Sequence, residues 1–82
     1  MAEVTYYGAD WCTDCRRSKA FLNANSVEFV ENNVEESAEL AAKAEAIAGR
    51  KNIPVIQFKD GAFLVEPSDA DLKAALTERG LL

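Results

Sequence analysis

Two cysteines, Cys12 and Cys15, stand in the stretch DWCTDCR (residues 10–16), with Asp10 before the pair, Asp14 inside it and Arg16 and Arg17 after it. They are the only cysteines of the 82-residue chain, which contains no histidine. A sulfur pair at this spacing can serve as a structural crosslink, as part of a metal site, or as a reversible dithiol–disulfide centre. A closed zinc site takes four ligands, commonly two such pairs, so carboxylates or a second subunit would have to complete it here. A crosslink over so short a loop constrains the unfolded chain little, because the entropic gain grows with loop length, and it is uncommon in a reducing compartment. Redox exchange needs only the pair and surroundings that turn one sulfur into a thiolate. Without histidine, Cys–His and Ser–His catalytic pairs are excluded.

The elements around the pair follow from pattern. EVTYYG (3–8) is β-branched and aromatic and ends in glycine, as a strand does. From Cys12 or Thr13 to about Asn25, Ala20, Phe21, Leu22 and Ala24 sit among Arg, Ser and Lys, a helix stopped by NANS. VEFVEN (27–32) reads as a second strand, with Val27 and Phe29 on one face. EESAELAAKAEAIAG (35–49) has high helix propensity, carboxylates in its first turn and Gly49 as C-cap. VIQF (55–58), the turn KDG (59–61) and AFLVE (62–66) predict a hairpin. PSDADLKAALTERG (67–80) predicts a last helix opened by a Ser68-x-x-Asp71 capping box. The order β-α-β-α-β-β-α predicts one α/β domain over residues 1–82, a four-stranded mixed sheet flanked by helices.

This order puts the cysteines where the first strand ends and the first helix begins, a usual place for a site in an open α/β sheet. Free N–H groups and the positive dipole end at a helix N-terminus favour a thiolate. Cys12 is therefore expected to attack and Cys15, one turn further in and more buried, to resolve. Arg16 and Arg17 reinforce the thiolate, whereas Asp10 and Asp14 oppose it, so extreme reactivity is not expected. Pro54, after Ile53 at the start of a strand, suits a cis peptide bond on a sheet edge or bend. Such a loop facing the cysteines would leave the Ile53 backbone free to pair with an extended thiol substrate. Trp11 could shield or present the Cys12 sulfur, and Tyr6 and Tyr7 read as strand residues. Ser68 and Asp69 read first as helix-capping residues, although a helix N-terminus facing the site can take a polar substrate group.

The run YGADWCTDCRRSKAFL, then NIPVIQF about forty residues on, then DGAFLVEPSDADL, resembles the glutaredoxin branch of the thioredoxin superfamily over essentially the whole chain. The stretch FLVEPSDADLKAAL is most similar to the mycoredoxins of bacteria that use mycothiol. The resemblance implies a thioredoxin-like fold and a thiol–disulfide oxidoreductase that reduces protein disulfides or protein–small-thiol mixed disulfides. It implies Cys12 as nucleophile and Cys15 as resolving cysteine, with Trp11, Thr13, Arg16, Lys51, Asn52, Ile53, Pro54, Ser68 and Asp69 around the thiol. Several positions depart from the glutathione-binding pattern. Ala9 stands where a lysine is usual, Asn52 where Thr or Ser is usual, and Pro67-Ser68 where Gly-Gly is usual. Thr13-Asp14 replaces the common Pro-Tyr between the cysteines. Glutathione carries two carboxylates that want cations and N–H donors; uncharged, sugar-like mycothiol fits such a site better.

Composition bounds the partners. The net charge is −5 and no basic run exceeds the pairs Arg16-Arg17 and Arg50-Lys51, which disfavours nucleic acid. No stretch approaches a membrane span, and MAEVTYYGAD lacks the basic start and apolar core of a signal peptide, so a cytoplasmic monomer is expected. With no nucleotide or flavin motif, an external NADPH-dependent reductase must recycle the pair, and neither a bound cofactor nor a resident metal is expected. Two further readings are a donor to ribonucleotide reductase recharged by thioredoxin reductase, and a [2Fe–2S] carrier using Cys12 from two subunits with two small thiols.

Overall fold

In a computed structural model that describes residues 3–82, the first strand, β1 (Val4–Gly8), runs through the middle of the sheet. It leads into α1 (Thr13–Ala24), which crosses back to β2 (Phe29–Asn33), parallel to β1 from Val4↔Phe29 to Gly8↔Asn33. After α2 (Ala38–Ala48) come β3 (Val55–Phe58), antiparallel to β1, and β4 (Phe63–Val65), antiparallel to β3. The chain closes with α3 (Asp69–Glu78), and the sheet order is β2-β1-β3-β4. The expected β-α-β-α-β-β-α order and mixed four-stranded sheet are both present.

Strand alternation sorts the core into two layers. Val4, Tyr6, Ile56 and Phe58 pack with Cys15 and Leu22 of α1 and with Leu72 and Leu76 of α3. Tyr7 and Val55 point the other way, against Ala44 of α2. The helices thus cover both faces, and the buried end of β1 together with the buried Cys15, Ser18 and Leu22 face of α1 holds the cysteine segment in place.

Three boundaries shift for local reasons. Helix α1 ends in a Schellman motif: Ser26 sits at φ 55° and Val27 N–H donates to Leu22 O at 2.9 Å. Val27 therefore belongs to the helix stop, and β2 starts at Phe29 instead of position 27, although Val27 and Phe29 still pack on one layer. Asn33 Oδ1 accepts Glu35 N–H at 2.8 Å, which holds Glu35 and Glu36 in a turn. Ser37, accepting Leu40 N–H at 3.3 Å, then caps α2, so Glu39 is the first-turn carboxylate in place of Glu35 and Glu36. Gly49 ends α2 at φ 76°, and Ser68 Oγ caps α3 by accepting Asp71 N–H at 3.1 Å, both as expected. β4 is shorter than 62–66 because Phe58 N–H reaches Ala62 O while Glu66 turns at φ 50°.

Candidate active site

Cys12 is itself the N-cap of α1. Its backbone is extended, and Sγ accepts the Cys15 N–H at 3.3 Å, a bond that a serine or aspartate oxygen supplies at most helix starts. A thiolate accepts such a bond more strongly than a thiol, because the acceptor then carries charge. Cys12 is half-buried, whereas Cys15 is fully buried directly behind it, and both are free thiols. Facing them, the Ile53–Pro54 bond is cis, and the Ile53 carbonyl lies 3.9 Å from Cys12 Sγ.

The sulfur opens into a cleft of about 380 Å³ walled by Trp11, Cys12, Asp14, Lys51, Asn52, Ile53 and Glu66. Trp11 is 68% exposed and is tethered through its indole N–H to the Glu35 carboxylate. It is also a wall of a second, more apolar cleft of about 410 Å³ along α2, shared with Lys51 and Ile53. Glu66 enters the first cleft from the end of β4. Its N–H donates to Pro54 O at 2.9 Å, and its carboxylate accepts the Asn52 amide at 2.9 Å. Asp14 pairs with Arg17 at 3.3 Å. The Arg17 guanidinium also donates to Pro67 O at 3.3 Å and lies 3.7 Å from Asp69, tying α1 to the start of α3. Each exposed pair contributes at most about 1 kcal/mol, but together they offset the charges nearest the α1 first turn.

Below the cysteines, burial pushes the Cys15 thiol up to about 12. Cys12 adds to this through a side-chain hydrogen bond and its charge, while the Ala9 backbone and the Tyr6 side chain pull the other way. Tyr6 is 3% exposed, and its hydroxyl donates to Cys15 O at 3.3 Å. Its phenol is raised above its ordinary range, first by burial and then by Cys15. The space for that ring exists because residue 8 is glycine. A Cβ there would overlap the Tyr6 phenol and stand 3.1 Å from Cys15 Sγ. Gly8→Ala is expected to cost about 1–3 kcal/mol as an overpacked core. Urea denaturation at neutral pH, comparing midpoints at constant m-value, reads it.

Of the residues expected from sequence, Cys12, Trp11, Lys51, Asn52 and Ile53 line the cleft, while Cys15 and Pro54 are buried behind it. Thr13 and Arg16 are exposed, and neither is a wall of the cleft. Ser68 and Asp69 are likewise outside it: the first caps α3 and the second meets Arg17. Glu66 is the wall that sequence reasoning missed. The hairpin register pairs Val55 with Val65, so the next antiparallel pair is Pro54 with Glu66. The KDG turn with its two apolar flanks already contained that signal.

The Glutaredoxin family model matches residues 4–63. A glutaredoxin-like protein of Mycobacterium tuberculosis is 32% identical over 78 residues, covering 94% of this chain and 93% of that one. Mycoredoxin 1 of Corynebacterium glutamicum is 26% identical over 76 residues, covering 93% and 95% of the two chains. Among solved structures, the glutaredoxin from Archaeoglobus fulgidus superimposes with a TM-score of 0.81 at 26% identity, over 90% of this chain and 85% of that one. A glutaredoxin from Brucella melitensis gives a TM-score of 0.67 at 30% identity, over 98% and 83%. With the Cys12–Cys15 pair at the start of α1 and these likenesses over nearly its whole length, the chain belongs to the glutaredoxin family of thiol–disulfide oxidoreductases.

Proposed function

We propose that the protein reduces protein disulfides and protein–small-thiol mixed disulfides by a dithiol mechanism, with an uncharged small thiol of the mycothiol type as its co-substrate. The Cys12 thiolate attacks the substrate disulfide, forms a mixed disulfide and releases a thiolate. Cys15 then attacks Cys12 Sγ, closing the Cys12–Cys15 disulfide and releasing the second thiol. Small thiol and an NADPH-dependent reductase return the pair to the dithiol. The observation that carries this reading is the placement of Cys12 Sγ at a helix N-cap in an open cleft, with the buried Cys15 directly behind it.

Cleft charge supports the choice of co-substrate. The walls hold two carboxylates, Glu66 and the Arg17-paired Asp14, against one cation, Lys51. Ala9, where a lysine is usual in glutathione-binding relatives, is 2% exposed and brings no charge to the site. Both carboxylates of glutathione would meet this balance unfavourably, whereas hydroxyl groups of a sugar-like thiol can donate to Glu66 and Asp14. The test compares reduction of one protein mixed disulfide with mycothiol, glutathione and thioredoxin reductase side by side, following NADPH consumption. Mycothiol is expected to give a kcat/KM at least about tenfold above that of glutathione at low ionic strength, with the gap narrowing as salt screens the carboxylates. Turnover with thioredoxin reductase alone would overturn the small-thiol reading in favour of a ribonucleotide reductase donor.

A further inference from the structure

The buried hydroxyl of Tyr6 has no part in the mechanism above, yet it donates to the Cys15 carbonyl and shares with the Cys15 sulfur the space that a Cβ at residue 8 would fill. Cys15 is 0% exposed, so no water surrounds its thiol when it must become a nucleophile. Cys12 stands in front of it, with Sγ accepting the Cys15 N–H at 3.3 Å. Tyr6 lies beneath, where a Cβ at residue 8 would meet both the phenol and the Cys15 sulfur. The Ala9 backbone, on the loop after β1, favours the Cys15 thiolate. Cys12 is consumed as the electrophile in the resolving step, because its sulfur then carries the substrate. Tyr6 remains as the side-chain donor. Its present bond to Cys15 O, at 3.3 Å, is long for an O–H···O contact. Little is lost when the proton turns from that carbonyl to the neighbouring sulfur. The missing Cβ at Gly8 is what lets the phenol sit there at all.

We propose that Tyr6 is a positioning residue for resolution, its hydroxyl donating a hydrogen bond to the Cys15 sulfur as that sulfur becomes the attacking thiolate. The inference rests on the dithiol reading above. In the step, Cys15 S⁻ forms a bond to Cys12 Sγ, the bond from Cys12 Sγ to the substrate sulfur breaks, and the electron pair leaves on the substrate thiolate. The proton given up by Cys15 ends on that released thiol. Tyr6 keeps its own proton throughout, as its raised phenol requires, and acts by donation alone. The other titratable groups facing the pair are Cys12 from the start of α1 and Glu31 from β2, itself paired with Lys19 at 2.6 Å. From α3 the residues packed on this layer are Leu72 and Leu76, which do not titrate.

The test uses Ellman's disulfide under single turnover, which separates the two steps in one trace. The first thionitrobenzoate is released when Cys12 attacks, the second when Cys15 resolves. Tyr6→Phe keeps the ring and removes the hydroxyl. It is expected to leave the first phase unchanged, to slow the second about tenfold, and to move its pH profile up by about one unit. Tyr7→Phe, on the opposite face of β1, serves as the control. Placing 3-fluorotyrosine at position 6 makes a better donor and is expected to speed the second phase, which a packing role would not do. An unchanged second phase in both Tyr6 variants overturns the proposal while leaving the dithiol reading intact. Absence of any second phase in the unmodified protein sinks both, since Cys15 then resolves nothing.

Discussion

Replacing Cys12 with serine is expected to lower disulfide reductase activity by at least about 1000-fold, the scale of loss when a covalent nucleophile is removed. A serine hydroxyl can still cap α1 by accepting the Cys15 N–H, so the variant should fold normally. It cannot form a mixed disulfide. Cys15 cannot substitute for it, being fully buried behind the cleft. The contrasting variant, Cys15→Ser, leaves Cys12 at the cleft surface and should stall after the first exchange. With a protein disulfide it is expected to accumulate a covalent Cys12–substrate adduct, visible as an added mass that dithiothreitol removes. With small-thiol mixed disulfides it should retain activity within about tenfold, because a second small thiol can do the resolving. Full activity in Cys12→Ser would falsify the assignment of the nucleophile.

The second large effect is on stability against pH. Burial holds the Cys15 thiol in the folded protein at about 12, against an ordinary 9.0. The sign follows from proton linkage. Above pH 9 the unfolded chain loses this proton while the folded chain keeps it, so the folded state binds more protons and its stability falls as pH rises. The contribution is complete below about pH 8, declines from about pH 9 and is spent near pH 12. The slope approaches about 1.4 kcal/mol per pH unit, which amounts to about 2 kcal/mol between pH 9 and pH 10.5. Tyr6, also raised, adds a decline of the same sign at the alkaline end. Urea unfolding of the reduced protein at pH 8, 9, 10 and 11 should therefore show midpoints that fall with pH. Cys15→Ala should flatten the first part of that fall, and so should oxidation to the Cys12–Cys15 disulfide, because neither form has a Cys15 proton to lose. A pH-independent midpoint for the reduced protein across this range would contradict the burial argument.

How much could be read without coordinates differs from element to element. Strand β3 matches its expected span because Pro54 bounds it on one side and the KDG turn on the other. Helix α1 was legible for a similar reason, with apolar spacing inside and an Asn-Ser stop whose Ser26 adopts a left-handed backbone. The start of α2 was less so. Propensity alone cannot say whether Glu35 and Glu36 join the helix when a preceding Asn33 side chain captures the Glu35 N–H. Among the charged residues near the cysteines, the resemblance singled out Arg16 for the thiol site, while Arg17 was expected only to reinforce the thiolate. Both are solvent-accessible, but only the helix phase and the position of α3 decide that Arg17 reaches Pro67 and Asp69.

From the sequence alone came the redox identity of the pair and the order of the elements. Two cysteines without histidine leave few other chemistries, and local periodicity and turn residues act over a few neighbouring positions. Tertiary structure decided what faces those sulfurs. Glu66 reaches the cleft through strand register, Asn52 turns its amide to Glu66, and Tyr6 lies under Cys15 in space left by Gly8. These contacts join residues far apart in the chain or set on one buried face. Their distances depend on how the sheet and helices close on one another, which no local pattern encodes.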